Sequence, residues 1–139
     1  MKKILILQGG YNEEHEVSLN TAKEVAKALK KQKIYFKILT VNPLTFKRDI
    51  LKFSNDHICF NALHGTFGED GKIQKILKSK EYRVTHSNHI VSNKCFNKIN
   101  SKKIIKKFNI ATPTYKIIRC KDISSIFLNN IKKKYKKFV

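Results

Sequence analysis

The chain has 139 residues, which is enough for one domain with a hydrophobic core and too few for two complete domains. Hydrophobic residues make up 41% and charged residues 29%, a balance that excludes an intrinsically disordered chain. The formal net charge of +20 is typical of nucleic-acid and membrane-surface proteins, but Lys supplies 27 of the 30 basic residues and Arg only 3. Phosphate and base recognition favours the bidentate guanidinium of Arg, so we read the charge mainly as a compositional bias toward Lys.

The cysteines and the amino-terminal run indicate the compartment. Cys59, Cys95 and Cys120 are odd in number and widely spaced, so they predict reduced thiols rather than a disulfide framework or a zinc site. The apolar run after Lys3 is too short for a signal peptide or a membrane span. We therefore expect a cytoplasmic protein.

The first predicted unit is a strand, a glycine turn and a helix. Lys3 to Leu7 is an almost wholly apolar run that should end at Gly9, as a strand buried on both faces does. From Ser18 onward apolar residues recur at helical spacing, with Ser18 in the position of an N-cap. These positions are Leu19, Ala22, Val25, Ala26 and Leu29.

The same alternation continues along the chain. Tyr35 to Val41 and His57 to Leu63 predict two further strands, and Gly71 to Leu77 predicts a helix. Strands that alternate with helices indicate an α/β fold with a doubly wound parallel sheet, whose ligands bind at the carboxyl ends of the strands. Both glycine-rich loops of the sequence follow such ends.

A change of charge predicts a second unit. Residues 94–139 contain 14 basic residues and the single acid Asp122, whereas residues 1–93 contain 16 basic residues and 9 acids. We therefore expect one domain over residues 1–93 and the start of another over 94–139. In the second part we expect a helix from Lys98 to Phe108, a strand from Thr114 to Ile118, and a last helix that is capped by Asp122 and runs to about Lys137.

The loop from Gly9 to Ser18 is the first candidate site. Glycine allows a close approach of the backbone to a ligand, a helix start favours an anion, and the loop's carboxylates favour a cation, so the combination suits a zwitterion such as an amino acid. The alternative is a solvated acidic loop that Ser18 caps. His15 and Glu16 do not form a zinc-binding helix motif, because position 19 is Leu.

The loop from Ala62 to Gly71 is the second candidate site. Five residues separate Gly65 from Gly71, and Ile73 follows Lys72, so the loop is not a phosphate-binding P-loop. Glu69 and Asp70 are expected to interact with the dipole of the following helix. His64, at the end of a strand, is the functional candidate here, with hydrogen bonding to a loop carbonyl as its structural alternative.

The third candidate is the segment from Thr85 to Lys98. A Lys at the start of a helix can bind phosphate as a point charge. With 27 lysines in the chain, spacing alone does not single out Lys98.

Together the three segments resemble the D-alanine:D-alanine ligase family. Gly9 to Leu19 matches Gly-Gly-x-x-x-Glu-x-Glu-Val-Ser-Leu, Leu63 to Gln74 matches Leu-His-Gly-x-x-Gly-Glu-Asp-Gly-x-x-Gln, and Thr85 to Lys98 matches a Thr-His-Ser segment followed by Lys. The chain departs from the family pattern at Val84, where Tyr is common, and at Asn97, where Asp is common. The resemblance covers roughly residues 1–115.

The resemblance implies an ATP-grasp enzyme that makes the D-alanyl-D-alanine dipeptide of peptidoglycan, and so serves cell-wall biogenesis and cell shape. The implied fold is a Rossmann-like domain followed by the incomplete start of an ATP-grasp domain. Its substrates would be D-alanine and ATP with Mg2+ or Mn2+, and the full-length enzyme would form a homodimer. Metal ligands and most of the ATP site belong to the family's later half, so we expect a truncated chain that is inactive alone.

The resemblance also assigns roles to individual residues. Glu14 would pair with the ammonium of the first D-alanine, and Ser18 would orient Glu14. His64 would lie near that substrate's carboxylate, and Lys98 would contact ATP phosphates. No residue of the chain is expected to bind the metal.

Two alternatives remain at the level of the sequence. Another amino-acid ligase of the ATP-grasp group is one. The other is a basic module that binds nucleic acid or an anionic membrane through the Lys132 to Lys137 cluster. For a ligase, in contrast, we expect neither a nucleic-acid partner nor a membrane partner.

Overall fold

The computed structural model describes residues 3–115, 117–119, 121 and 123–134. Residues 3–84 contain a four-stranded, all-parallel sheet with the strand order β2-β1-β3-β4. The strands are β1 (Lys3–Gly9), β2 (Tyr35–Val41), β3 (Ile58–Asn61) and β4 (Arg83–Val84). The predicted α/β class with a parallel sheet is confirmed.

In the part of the chain that the structure describes, six α-helices and a 3-10 turn are defined besides the strands. They are α1 (His15–Lys31), α2 (Phe46–Asp49), the 3-10 turn (Ile50–Lys52), α3 (Lys72–Ser79), α4 (His89–Phe96), α5 (Lys98–Lys107) and α6 (Ser125–Lys134). None of the helices in the described ranges is both long and apolar enough to cross a membrane.

Both faces of the sheet are covered, because successive side chains of β1 point to opposite sides. Leu5 and Leu7 pack into a core with residues of α2, the 3-10 turn and α3. Ile6 lies on the other face, where Ala22 of α1 covers it. This arrangement explains the almost wholly apolar sequence of β1, which is buried on both faces.

The order of the strands fixes where a ligand site can form. From β1 the chain first adds β2 on one side and then returns to add β3 on the other side of β1. The carboxyl ends of β1 and β3 therefore border the point where the strand order reverses, which is where open parallel sheets bind their ligands. The two glycine-rich loops begin at these two ends.

The later part of the chain differs from the predicted strand and from the predicted start of the last helix. Thr114, Tyr115, Ile117 and Ile118 have no strand structure, so the strand predicted there is wrong for these described residues. Asp122 and residues 135–137 lie outside the described residues, and the last helix begins at Ser125. The chain divides into two compact units between Ser101 and Lys102. The domain boundary after residue 93 stays a prediction.

Burial is concentrated in the first unit. Among the side chains that the structure describes, none after Tyr82 is buried. A segment that buries so little apolar surface gains little hydrophobic stabilisation of its own.

Candidate functional site

The first and second glycine-rich loops are joined by Asn12. Its Nδ2 donates to the His64 carbonyl at 2.8 Å, and its Oδ1 accepts from the backbone N–H of Glu14 at 3.1 Å. One amide side chain thus fixes the loop after β1 against the loop after β3, and it places Glu14 at their junction.

Glu14 lies directly against Gly65. A Cβ atom on Gly65 would be only 2.3 Å from Oε2 of Glu14, and the φ of +65° at this position also favours glycine. Glu14 is exposed and has no ion-pair partner among the described residues. Its carboxylate is therefore available to a cationic ligand.

Ser18 has a different role from the predicted N-cap. Helix α1 begins at His15, and the backbone N–H of Ser18 already bonds to the Glu14 carbonyl at 3.0 Å. The fully buried Ser18 hydroxyl instead accepts from the backbone N–H of Gly9 at 2.8 Å. The prediction of a Ser18 cap is wrong, because the hydroxyl ties the end of β1 to the second turn of α1.

His64 connects α1 to the second loop. Its Nε2 lies 3.0 Å from Oγ1 of Thr21, and its Nδ1 lies 3.9 Å from Oε1 of Glu69. The other carboxylate oxygen of Glu69 accepts from the Gly65 backbone N–H at 3.1 Å. Glu69 therefore turns back toward the loop rather than toward α3.

Asp70 behaves as its position before a helix predicts. Its Oδ1 accepts from the Lys72 backbone N–H at 3.0 Å, one of the unpaired donors at the start of α3. Burial raises the pKa of the Asp70 carboxyl, but the hydrogen bonds from Lys72 and Phe67 outweigh burial and hold the pKa below its usual range. Asp70 thus stabilises the start of α3 as an anion.

An open cavity of about 420 Å³ lies at this edge of the sheet, within the first unit. Its lining includes Phe60, His64, Glu69, Gln74, His86 and Lys98. Gln74 is 4% exposed; its Nε2 donates to the Gly68 carbonyl at 2.7 Å, while its Oε1 is buried without a partner among the described residues. The lining of the cavity thus contains a buried hydrogen-bond acceptor, Oε1 of Gln74, that no described protein group satisfies.

The third segment closes the other side of the cavity. The His86 ring packs edge-on against Phe60 at 5.4 Å between centroids, and burial lowers the pKa of His86, which favours the neutral imidazole at pH 7. Lys98 is the first residue of α5 and is exposed. A cavity with Glu69 on one wall and Lys98 on another suits a ligand that carries both charges.

Two curated relatives carry the same name. The D-alanine–D-alanine ligase of Pelagibacter ubique (strain HTCC1062) is 48% identical over 115 residues, which cover 82% of this chain and 37% of that protein. The D-alanine–D-alanine ligase of Wolbachia pipientis wMel is 37% identical over 132 residues, which cover 95% of this chain and 40% of that protein.

A comparison with solved structures points to the same family as these two relatives. The crystal structure of the D-alanine–D-alanine ligase from Bacillus anthracis complexed with ATP matches with a TM-score of 0.72 at 31% identity, covering 94% of this chain and 45% of that chain. The chain belongs to the D-alanine–D-alanine ligase family. No family model matches it.

This member of the D-alanine–D-alanine ligase family spans only about two fifths of the curated relatives that it matches. The crystal structure of the D-alanine–D-alanine ligase from Aeromonas hydrophila matches with a TM-score of 0.72 at 19% identity, and this likeness supports the fold alone. The activity and the substrates of the complete relatives can therefore only be proposed for this chain.

The structure brings together four of the residues that the family motifs single out. Glu14, Ser18 and His64 meet around the ends of β1 and β3, and Lys98 lines the same cavity as His64. Lys98 also lies three residues before the division between the two units, at Ser101.

Asn12, Thr21 and Gln74 also contribute to the site, although the sequence motifs assign no role to them. A signal for Thr21 exists, because Glu14, Ser18 and Thr21 have the i, i+4, i+7 spacing of one helix face. Asn12 and Gln74 lie inside the matched motifs, but nothing in the spacing states which backbone groups their amides reach.

A divalent metal does not fit the described part of this family member. No group of three or more His, Cys, Asp or Glu side chains in the described ranges could hold a metal ion.

Proposed function

We propose that this chain forms the part of a D-alanine–D-alanine ligase that holds one D-alanine during ATP-dependent dipeptide formation. The observation that carries the proposal is the carboxylate of Glu14, which lies against Gly65 at the carboxyl edge of the sheet and has no ion-pair partner among the described residues. Family membership narrows the cation to the ammonium of an amino acid.

The site holds a surplus of hydrogen-bond acceptors. Among the described residues, the Glu14 carboxylate has no ion-pair partner, Oε1 of Glu69 has only the His64 ring at 3.9 Å, and the buried Oε1 of Gln74 has no hydrogen-bond partner. Unpaired acceptors favour a ligand that brings donors, and a primary ammonium group brings three. Lys98 on the same cavity supplies a positive charge for a carboxylate or phosphate.

Binding and orientation are what this chain contributes. In the proposed reaction ATP phosphorylates the carboxylate of one D-alanine, and the amino group of a second attacks the acyl carbon, losing a proton as phosphate leaves. Fixing the first substrate's ammonium on Glu14 would hold its carboxylate in one direction, which lowers the entropic cost of reaction.

Lys98 is proposed to contact ATP phosphates. Its ammonium is exposed at the first residue of α5, where the helix dipole adds to the positive charge. The Bacillus anthracis relative was crystallised with ATP, which supports an ATP site in the complete enzyme.

Cytoplasmic location, a homodimer of the full-length enzyme, and inactivity of the chain alone stay predictions. The nucleic-acid or membrane alternative depends on the Lys132 to Lys137 cluster, which lies outside the side chains that the structure describes. No described contact favours that alternative.

A titration of the 139-residue chain with D-alanine, followed by amide NMR, tests the proposal. We expect saturable shifts confined to residues 9–18 and 63–70, with a Kd of about 1 mM or weaker because an exposed charge pair gains little. The substitution Glu14→Gln should abolish the saturable chemical-shift changes. Glu13→Gln, the same change one residue earlier in the same loop, should retain it.

Two results would count against the proposal. One is saturation that survives unchanged in Glu14→Gln. The other is a set of shifts centred away from both loops. Methylammonium and acetate, titrated separately, show which end of the zwitterion the two loops recognise.

A further inference from the structure

The hydroxyl of Thr21 has only one hydrogen to share between two neighbours. Its Oγ1 lies 2.9 Å from the Val17 carbonyl and 3.0 Å from Nε2 of His64. Two oxygens at 2.9 Å need a hydrogen between them, and the carbonyl has none to give. The Thr21 hydrogen therefore goes to Val17.

It follows that His64 is the donor in its contact with Thr21. The Thr21 oxygen has lone pairs left but no second hydrogen, so Nε2 of His64 must carry a proton. In the neutral ring Nδ1 is then unprotonated and can only accept. Thr21 thus selects one of the two tautomers of His64.

The selected tautomer places two acceptors side by side. Nδ1 of His64 and Oε1 of Glu69 are 3.9 Å apart, too far for a hydrogen bond with each other. One nitrogen donor can lie about 2.9 Å from both. A carboxylate at the same point would face a lone pair and a negative charge.

We infer that Thr21 is a positioning residue that holds neutral His64 with Nδ1 as an acceptor, so that His64 and Glu69 together bind an ammonium or N–H group of the ligand. The inference deepens the proposed function and rests on it for the identity of the ligand. It differs from the role that the resemblance implies for His64, which is a contact with the substrate's carboxylate.

The other charged groups near this pair agree with an ammonium ligand. Glu14 lies against Gly65, whose N–H binds the second oxygen of Glu69, so two carboxylates flank the loop that carries His64. Lys98 also lines this cavity, and its positive charge is available for the opposite end of a zwitterion.

Imidazole nitrogen NMR of the 139-residue chain at neutral pH tests the tautomer without any ligand. We expect His64 to have a protonated Nε2 and an unprotonated Nδ1. The population of this Nε2–H tautomer should exceed that of the Nδ1–H tautomer by about tenfold or more. His15 is an internal reference of the opposite kind, because its Nδ1 lies 2.8 Å from the Gly10 carbonyl and must donate there.

Two variants separate positioning from simple packing. Thr21→Val keeps the shape but removes the acceptor, so the His64 proton should move toward Nδ1, where Glu69 can accept it. Thr21→Ser keeps the acceptor and should restore the wild-type tautomer. The spectrum of His15 should be unchanged in both.

The ligand arm uses D-alanine, methylammonium and acetate as probes. D-alanine and methylammonium should change the nitrogen chemical shift of Nδ1 of His64 while the ring stays neutral. Acetate should leave that chemical shift unchanged. A ring that is protonated or in the Nδ1–H form in the free chain overturns the inference, as does an unchanged tautomer in Thr21→Val. The expected tautomer with a His64 ring that does not respond to D-alanine, while the amide signals of residues 9–18 do, overturns the inferred ammonium contact and leaves the proposed function standing. No response of either loop to D-alanine contradicts the proposed function as well.

Discussion

At the scale of single residues, Ser18 shows how one buried hydroxyl joins two elements. It accepts from the Gly9 backbone N–H, and Gly9 is the last residue of β1 with a φ of +93°. Loss of the hydroxyl would leave a buried donor without a partner, which costs more than the bond itself contributes. The loop that carries Glu14 depends on this connection.

We predict that Ser18→Ala lowers the free energy of unfolding by about 1–3 kcal/mol, the cost of an unpaired buried N–H. Urea denaturation followed by circular dichroism measures the change. Ser79→Ala is the matched control, since Ser79 is exposed near the end of α3 and its loss should change stability by less than about 0.5 kcal/mol. Equal effects of the two changes would contradict the role given to Ser18.

At the scale of elements, the sequence predicts what apolar periodicity can encode. The limits of β2 agree with the predicted Tyr35 to Val41, and β1 ends at Gly9 as expected. Helix α1 starts three residues before the predicted Ser18, because the side chains of its first turn are not buried and carry no apolar pattern. The two-residue β4 and the short α2 are too brief for any periodicity to appear.

Helix α4 escapes prediction for a different reason. None of its residues is buried, so the chain from His89 to Phe96 has no apolar stripe that a pattern could reveal. Asn88 marks its start by accepting from the backbone N–H groups of Ile90 and Val91. Its packing against α3 depends on Gly71, where the two helices approach each other closely.

We predict that Gly71→Ala is more destabilising than Gly10→Ala. Both glycines have nearly the same φ, +90° and +91°, so the backbone strain of about 1–3 kcal/mol is common to both changes. At Gly71 a Cβ would lie 2.4 Å from the His89 carbonyl oxygen, whereas at Gly10 the nearest atom is 3.7 Å away. Thermal unfolding measures the difference, and a larger loss in Gly10→Ala would contradict the described approach of α4 to α3.

At the scale of the whole molecule, the candidate site arises from topology that short motifs do not display. The motifs identify Glu14 and His64, but only the strand order brings the ends of β1 and β3 together. The contacts of Asn12 and Thr21 with His64 depend on that juxtaposition, so no pattern local to one segment could assign them.

The chain spans about two fifths of its curated relatives, so activity has to be tested in a complete enzyme. A chimera answers this need: the matched 115-residue segment of the Pelagibacter ubique ligase is replaced by its counterpart from this chain. Circular dichroism and ATP binding establish that the chimera is folded before its activity is measured.

The measurement is phosphate release that depends on D-alanine, compared among the chimera, its Glu14→Gln variant and its Glu13→Gln variant. We predict that the chimera is active and that Glu14→Gln lowers kcat/KM for D-alanine roughly 10- to 100-fold, the loss of a hydrogen bond to a charged group. Glu13→Gln should stay within about twofold of the chimera. A folded chimera that binds ATP but releases no phosphate with D-alanine, or one in which both variants behave alike, would contradict the assignment of this edge of the sheet to D-alanine.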